Sequence, residues 1–242
     1  MHGAKADNLK LLLESNFNVP SFIVRKTYSD IHDISTLQLD PPFILRSSFS
    51  CEDSSSHAFA GIFESYAPIY THADLKYAVN ICEEQTTEKY THYKDLHNLD
   101  IGKLEKKYIL QEFIVGDFSG VCFTKHHNNE CYFEIIPGIN EPLVQGEIKK
   151  PFCFGIDRET TKLKIYSFYG GENYLGVSEK KKQSTRFESL FFEEDILINF
   201  SDLLYKKCRE IEGILDKAQD IEFTVRGGTI YILQSRDITS KS

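Results

Sequence analysis

The end of the chain carries the pattern that most restricts how it can fold. Two alternating runs, Ala218–Val225 and Tyr231–Arg236, flank a Gly-Gly pair and predict a β-hairpin. One set of side chains along these runs is apolar, and the other consists of Asp, Glu, Gln and Arg. Burying charged groups is costly unless they are paired, so a purely structural hairpin would gain little from such a face. A surface hairpin with a solvated charged face remains the alternative.

The register of this hairpin decides which side chains share a face. A two-residue loop at Gly227–Gly228 would pair Glu222 with Leu233, whereas a three-residue loop ending at Thr229 pairs Glu222 with Gln234. The longer loop gives three cross-strand pairs: Glu222–Gln234, Thr224–Ile232 and Asp220–Arg236. The opposite face would then be apolar: Ile221, Phe223, Val225, Tyr231 and Leu233. Because sheet faces sort by polarity, we predict the three-residue loop.

Composition bounds the class of protein. The 242 residues are 41% apolar and include 18 Phe and 13 Tyr, which is enough for a substantial core. A net charge of −8 disfavours a sequence-independent nucleic-acid binder, although a local cationic site can still hold a polyphosphate. Six cysteines without a C-x-x-C pair indicate reduced thiols, and we expect a cytoplasmic protein. No stretch is apolar enough to span a bilayer.

The periodicity along the chain predicts an α+β fold. Apolar residues recur at helical spacing in residues 4–14, 73–90 and 195–217. Short apolar runs between these helices predict strands, several of them in antiparallel pairs. Separate helices and antiparallel strands are typical of the α+β class. The length suits one large domain or two small lobes sharing a core.

Two segments in the first half of the chain offer groups for phosphate. Arg46 ends a predicted buried strand and precedes Ser47-Ser48, and a planar guanidinium suits phosphate oxygens. The alternative is that Arg46 pairs with Glu52 or Asp53 in a structural loop. Backbone amides around Gly61 and the Ser65 hydroxyl could also hold phosphate, and an ordinary turn is the alternative. Neither G-x-x-x-x-G-K-[ST] nor G-x-G-x-x-G occurs in the chain.

Other polar residues stand in apolar surroundings. Gln111 and Glu112 precede Phe113-Ile114. An adenine ring needs this combination of an apolar pocket and hydrogen-bonding groups at its edge. A strand that crosses a subdomain boundary is the alternative. Glu141 could hold a ribose hydroxyl or a metal-bound water, or it could be a solvated loop carboxylate.

The hairpin itself supplies the oxygen and guanidinium groups for metal-bound phosphate. Glu222 and Gln234 offer oxygen ligands to Mg²⁺, a hard ion that takes few protein ligands. Arg236 would neutralise the transferring phosphate. His126-His127 would serve as a nucleophile or zinc pair, but it falls in a predicted polar turn. A hydrolase that uses these histidines remains open, although no G-x-S-x-G elbow is present.

Taken in order, these motifs resemble one family, the ATP-binding domain of pyruvate phosphate dikinase and phosphoenolpyruvate synthase. Rifampin phosphotransferase shares that domain. The matching segments are Gly3-Ala4-Lys5-Ala6, Val19-Pro20, Arg46-Ser47-Ser48 with Glu52-Asp53, Phe59-Ala60-Gly61, Ser119-Gly120-Val121 with Phe123-Thr124, Asn140-Glu141, Gln219 to Glu222, and Leu233 to Arg236. Asn140 departs from the family's usual Gly, Phe223 from its Trp, and His126-His127 from its acidic-Pro pair.

The resemblance implies an ATP-grasp fold with ATP between two lobes, an N-lobe at about 1–110 and a C-lobe at about 111–242. By position, it implies that Lys5 and Arg46 contact phosphates and that Gly61 and Ser65 form a phosphate loop. It also implies that Gln111 and its neighbours Glu112 and Ile114 form the adenine hinge. Glu222 and Gln234 would hold magnesium, and Arg236 would contact the phosphates.

The resemblance also implies a reaction. ATP would donate a phosphoryl group to a histidine on a swivelling domain, leaving AMP and phosphate, and a small-molecule acceptor would receive it next. That domain's G-G-x-x-S-H context is absent here, so we expect a separate subunit or an excised domain. A non-catalytic, ATP-binding regulatory module is the alternative. No nucleic-acid or membrane partner is expected.

Overall fold

The computed structural model describes residues 4–26, 39, 41–48, 65–97, 107–169 and 194–238. The chain divides into two compact units. The first comprises Met1–Lys10 and Pro20–Phe113, and the second comprises Leu11–Val19 and Ile114–Ser242. Among the described residues, no helix has both the length and the apolar composition that crossing a bilayer requires.

The first unit is a four-stranded antiparallel sheet with helices. Its elements are the first part of α1 (Ala4–Glu14, of which residues 11–14 belong to the second unit), β1 (Phe22–Arg25), β2 (Phe43–Ser47), β3 (Tyr66–Ile69), α2 (His72–His97) and β4 (Tyr108–Glu112). The strand order is β1-β4-β2-β3. Helix α2 presents Leu75, Ala78 and Cys82 at helical spacing to a core that includes Phe43 and Leu45. This stripe explains why the sequence predicts a helix here.

The second unit is a six-stranded antiparallel sheet with one long helix. Its elements are β5 (Phe118–His126), β6 (Glu130–Pro137), α3 (Glu141–Val144), β7 (Phe152–Asp157), β8 (Leu163–Ser167), α4 (Glu194–Leu215), β9 (Gln219–Arg226) and β10 (Thr229–Asp237). The strand order is β10-β9-β5-β6-β7-β8. Leu204, Cys208 and Ile211 of α4 are buried, and Phe200 meets Phe118 edge to face at 4.9 Å between centroids. Helix α4 therefore covers the apolar face of the sheet and leaves the other face for polar side chains.

Candidate functional site

The closing hairpin has a shorter loop than the sequence analysis predicts. Gly227 and Gly228 form a two-residue turn with φ of 58° and 83°, and Thr229 pairs with Arg226. Two successive positive φ angles characterise the type I′ turn, which follows the twist of the strands. The prediction of a three-residue loop is therefore wrong.

A bulge nevertheless produces the predicted polar pairs. The register shifts between Ile232 and Gln234, at Leu233. Beyond this bulge, Gln234 faces Glu222 and Arg236 faces Asp220, as predicted. Before the bulge the predicted pairing is wrong. Ile232 faces Phe223, and Thr224 faces Tyr231, which therefore shares the polar face. One extra residue in β10 thus reconciles the tight turn with the sorting of the faces by polarity.

Glu222 and Gln234 form a buried pair of oxygen-bearing side chains. They are 8% and 6% exposed, and they lie opposite each other on neighbouring strands. A carboxylate and an amide oxygen are donors that suit Mg²⁺, which keeps phosphate and water as its other ligands. No group of three or more His, Cys, Asp or Glu suited to a metal occurs among the described residues. Two oxygen-bearing side chains opposite each other fit an ion that needs few protein ligands.

Asp220 holds the guanidinium of Arg236 beside this pair. Arg236 Nε and Nη2 lie 2.7 and 2.6 Å from Asp220 Oδ2. Burial raises the pKa of the Asp220 carboxyl, Arg236 opposes that effect, and the Glu222 carboxylate adds to it. The pKa rises overall because burial, the largest effect, outweighs the contacts with Arg236. A further cation on this face would improve the balance of charge.

An apolar patch lies next to the polar pair on the same sheet face. Val121 faces Glu222 across the strands and packs with Ile136 and with Leu143 of α3. Phe123, Ile148 and Tyr169 surround this cluster and remain partly exposed. The patch therefore offers an apolar surface for a planar group beside the oxygen ligands.

Asn140 is a polar residue that the sequence analysis did not propose as a ligand contact. It precedes α3 with helical φ and ψ, so its side chain makes no capping hydrogen bond. Its side chain is 3% exposed, and neither amide atom has a hydrogen-bond partner in the described part of the chain. Buried amides are usually bonded, so this one is available to a ligand or a water. The neighbouring candidate, Glu141, is half-buried in the first turn of α3.

Two phosphate candidates approach each other in the first unit. The Ser48 hydroxyl, just beyond β2, accepts a hydrogen bond of 3.4 Å from the Ala6 backbone amide. This contact brings the first turn of α1, which carries Lys5, to the end of the strand that carries Arg46. Arg46 is buried, with 6% exposure, and Lys5 is half-buried. The two basic side chains therefore belong to adjoining segments, as a common phosphate site requires.

The predicted hinge residues differ from one another in their surroundings. Gln111 is 0% exposed on β4, and neither of its amide atoms has a partner among the described residues. Glu112 has a structural contact, because its Oε2 accepts a hydrogen bond from the Ser21 amide at 3.2 Å. Ile114 is half-buried in the linker after β4, and Ser65 is exposed just before β3. Gly61 lies outside the described residues. Within this set, Gln111 best fits a ligand contact.

Comparison with known proteins places these features in a family. The family model for the pyruvate phosphate dikinase AMP/ATP-binding domain matches residues 4–242. A probable phosphoenolpyruvate synthase of Archaeoglobus fulgidus is 27% identical over 210 residues, 81% of this chain and 27% of that protein. A rifampicin phosphotransferase of Bacillus cereus is 26% identical over 223 residues, 86% of this chain and 24% of that protein. The chain thus spans about a quarter of the length of these relatives.

Solved structures with a similar course of the chain include two enzymes. A dinucleotide-forming acetyl-coenzyme A synthetase of Ca. Korarchaeum cryptofilum has a TM-score of 0.48 and 10% identity, covering 96% of this chain and 90% of that one. A D-alanine–D-alanine ligase of Bacillus anthracis, complexed with ATP, has a TM-score of 0.43 and 9% identity, covering 97% and 55%. The two antiparallel sheets with their separate helices confirm the predicted α+β fold class.

Proposed function

Because the chain belongs to the pyruvate phosphate dikinase AMP/ATP-binding domain family, we propose that it acts as the ATP-binding part of a phosphotransferase. ATP would give its β-phosphoryl group to a histidine of a swivelling domain, and water would accept the γ-phosphoryl group, so that AMP and phosphate are the other products. That histidine would belong to another polypeptide or to another part of the same protein. A small-molecule acceptor would then receive the group. Homologues named as phosphoenolpyruvate synthase and rifampicin phosphotransferase support this kind of chemistry.

The observation that carries the proposal is the cross-strand pair Glu222–Gln234 next to Asp220–Arg236. The first pair would hold Mg²⁺, which neutralises charge on the phosphate oxygens when it is bound. Arg236, held by Asp220, would face the same phosphates with a fixed guanidinium. These side chains would position ATP and offset its charge, and none of them would form a covalent bond with it.

The remaining candidates have supporting roles in the proposal. Lys5 and Arg46 would bind phosphate oxygens, and Gly61 and Ser65 would complete the phosphate loop. Gln111, with its neighbours Glu112 and Ile114, would border the adenine, and Glu141 would bind the ribose. Gln111 has the best support, because a buried amide with no partner gains a hydrogen bond when the base arrives. The five described cysteines are buried and form no disulfide among the described residues, which supports the predicted cytoplasmic location.

The test removes the metal ligands and leaves the fold in place. In the double variant Glu222→Gln, Gln234→Ala we expect ATP affinity in magnesium buffer to fall at least tenfold, because charge-assisted contacts typically contribute about 1.5–3 kcal/mol each. Titration calorimetry with ATP, in Mg²⁺ and in EDTA, measures this loss. Glu210→Gln is the matched control, because Glu210 is exposed on α4. Unchanged affinity in the double variant would rule out the proposed metal site.

A second measurement separates the phosphotransferase from the regulatory module. The protein is mixed with ATP, Mg²⁺ and the isolated histidine domain of a phosphoenolpyruvate synthase, and AMP is quantified by chromatography. AMP formation that depends on the added domain supports phosphoryl transfer. Tight ATP binding without AMP supports the regulatory module instead.

A further inference from the structure

A pocket lies on the polar face of the six-stranded sheet, and the Glu222–Gln234 pair is not among its lining residues. It has a volume of about 370 Å³, at the small end of the range for small-molecule sites. We call it the tyrosine pocket, and its principal lining residues are His126, Glu130, Tyr132, Glu134 and Tyr166. Tyr132 faces Phe123, which in turn faces Asp220, so this pocket and the proposed magnesium site share one face of the sheet.

Aromatic rings form the walls of the tyrosine pocket. The His126 and Tyr132 rings stack with centroids 4.7 Å apart and planes 22° apart. Tyr166, on the neighbouring edge strand β8, lies 5.8 Å from Tyr132 between ring centroids. Lys164 Nζ lies 4.6 Å from the Tyr166 ring centroid, so an ammonium group already packs on this outer ring. His126 and Tyr132 cover one face of each other and Lys164 covers one face of Tyr166, and the ring surfaces that remain suit a cation because the face of an aromatic ring is electron-rich.

The base of the tyrosine pocket is a held carboxylate. Glu130 is 8% exposed, and the Tyr166 hydroxyl lies 2.6 and 2.9 Å from its two oxygens. Gly155 makes room for this contact, because a Cβ there would collide with Glu130 Oε2 and would lie 3.0 Å from Tyr166 Cε2. The glycine and the phenol therefore keep a negatively charged group fixed at the bottom of the pocket.

The charges of the lining residues decide what the tyrosine pocket can bind. Glu130 and Glu134 are acidic, and no Lys or Arg lines the pocket in the described part of the chain. Burial raises the pKa of Glu134, a hydrogen bond with the Tyr132 side chain opposes that effect, and the Asp220 carboxylate adds to it. Burial lowers the pKa of His126, so the imidazole does not supply the missing positive charge near neutral pH. The Tyr166 hydroxyl bonds the buried Glu130 carboxylate and Lys164 packs on the Tyr166 ring, but no Lys or Arg of the described residues lines the pocket itself, so its two carboxylates favour a positively charged ligand.

We propose that the tyrosine pocket binds a small organic cation, through an ammonium group placed between the aromatic rings and the Glu130 and Glu134 carboxylates. An anion would meet two like charges, and a neutral analogue would leave the carboxylates uncompensated. The proposal does not depend on ATP chemistry, because the carboxylates involved differ from those of the proposed magnesium site.

The test uses three probes of similar length and different charge. Putrescine, 1,4-butanediol and succinate are each titrated into ¹³C-labelled protein, and the ring signals of His126 and Tyr166 are followed by NMR. We expect only putrescine to shift these signals in a saturable way, whereas the signal of exposed His72 on α2 should stay in place. Saturable binding of succinate, binding of butanediol equal to that of putrescine, or no response to any probe would overturn the proposal.

Variants that each remove one carboxylate show whether putrescine binds in the tyrosine pocket. In Glu134→Gln and in Glu130→Gln we expect putrescine affinity to fall about tenfold, because each removes one carboxylate partner of the ammonium group. Glu210→Gln changes the net charge equally on α4 and should bind putrescine as the wild type does. The Glu222→Gln, Gln234→Ala protein should also retain putrescine binding, which separates this proposal from the proposed function. Equal putrescine affinity in the wild type and in both pocket variants would refute the proposed cation site. Because Glu134 is only half-buried, Glu134→Gln should fold normally.

Discussion

His126 shows how a local environment fixes the charge of a single residue. Its ring ends β5, stacks on Tyr132, and places Nδ1 4.0 Å from Glu130 Oε1. Burial is the main effect on its pKa and lowers it, His127 lowers it further, and Glu130 acts in the opposite direction. The folded protein therefore favours the neutral imidazole.

This lowered pKa predicts acid sensitivity. The histidine of the unfolded chain titrates near about 6.5, so as the pH falls through that value the unfolded state takes up a proton that folded His126 resists. The folded state must then lose stability between that pH and the lower, folded-state pKa. We expect His126→Phe, which keeps a flat ring, to lose less stability than wild type on going from about pH 7.5 to about pH 5.5. Urea unfolding at each pH measures this, and equal losses in the two proteins would contradict the expectation.

At the scale of secondary structure, the hairpin shows what a sequence reveals about register. Sorting side chains by polarity correctly predicted that Glu222 faces Gln234 and that Asp220 faces Arg236. It failed at the turn, because a single register was assumed for the whole hairpin. The Gly-Gly pair favours a two-residue turn, whereas the sorting of side chains by polarity favours the register that pairs Glu222 with Gln234. Leu233 satisfies both by bulging, and a bulge leaves no mark in the hydrophobic pattern.

Two glycines test the packing of these elements. A Cβ at Gly120 of β5 would collide with the Glu134 carbonyl oxygen and would lie 2.8 Å from Phe223 Cζ. We expect Gly120→Ala to lower the free energy of unfolding by about 1–3 kcal/mol, as overpacking in a core typically does. A Cβ at Gly213 of α4 would meet nothing within 4 Å. Gly213→Ala should therefore raise stability by roughly 0.5–1 kcal/mol, since Ala favours the helix.

Urea unfolding of the two variants and the wild type gives both values. A neutral Gly120→Ala would show that the strands shift easily at this point, and a destabilising Gly213→Ala would contradict the open surroundings of α4. If Gly120→Ala lowers the free energy of unfolding and Gly213→Ala raises it, the tight packing lies within the sheet.

For the whole molecule, the order of elements and motifs predicted the α+β fold class and the family. The two antiparallel sheets confirm the fold class, and the match to the family model confirms the family. The division of the chain was harder to predict, because residues 11–19 belong to the second unit. The backbone oxygen of Asn18 accepts a hydrogen bond of 2.8 Å from Ile232, more than two hundred residues later. Such a contact has no local pattern. The same holds for Glu134, which faces Val121 of β5 and Cys153 of β7.

Nucleotide binding should stabilise the folded protein as a whole. A ligand that binds only the folded state at one hundred times its dissociation constant adds about 2.7 kcal/mol of stability. We expect Mg²⁺–ATP at that excess to raise the unfolding temperature in scanning calorimetry, and ATP in EDTA at the same concentration to raise it less. An equal shift in EDTA would contradict a magnesium-dependent site.

The bulge at Leu233 has a consequence for how this hairpin can change over evolutionary time. The pairs Glu222–Gln234 and Asp220–Arg236 lie on one side of the irregularity, and the Gly227–Gly228 tip lies on the other. Drift in the length or composition of the tip can be absorbed at Leu233 before it reaches those pairs. A change in the length of the tip should therefore leave Glu222 opposite Gln234 and Asp220 opposite Arg236.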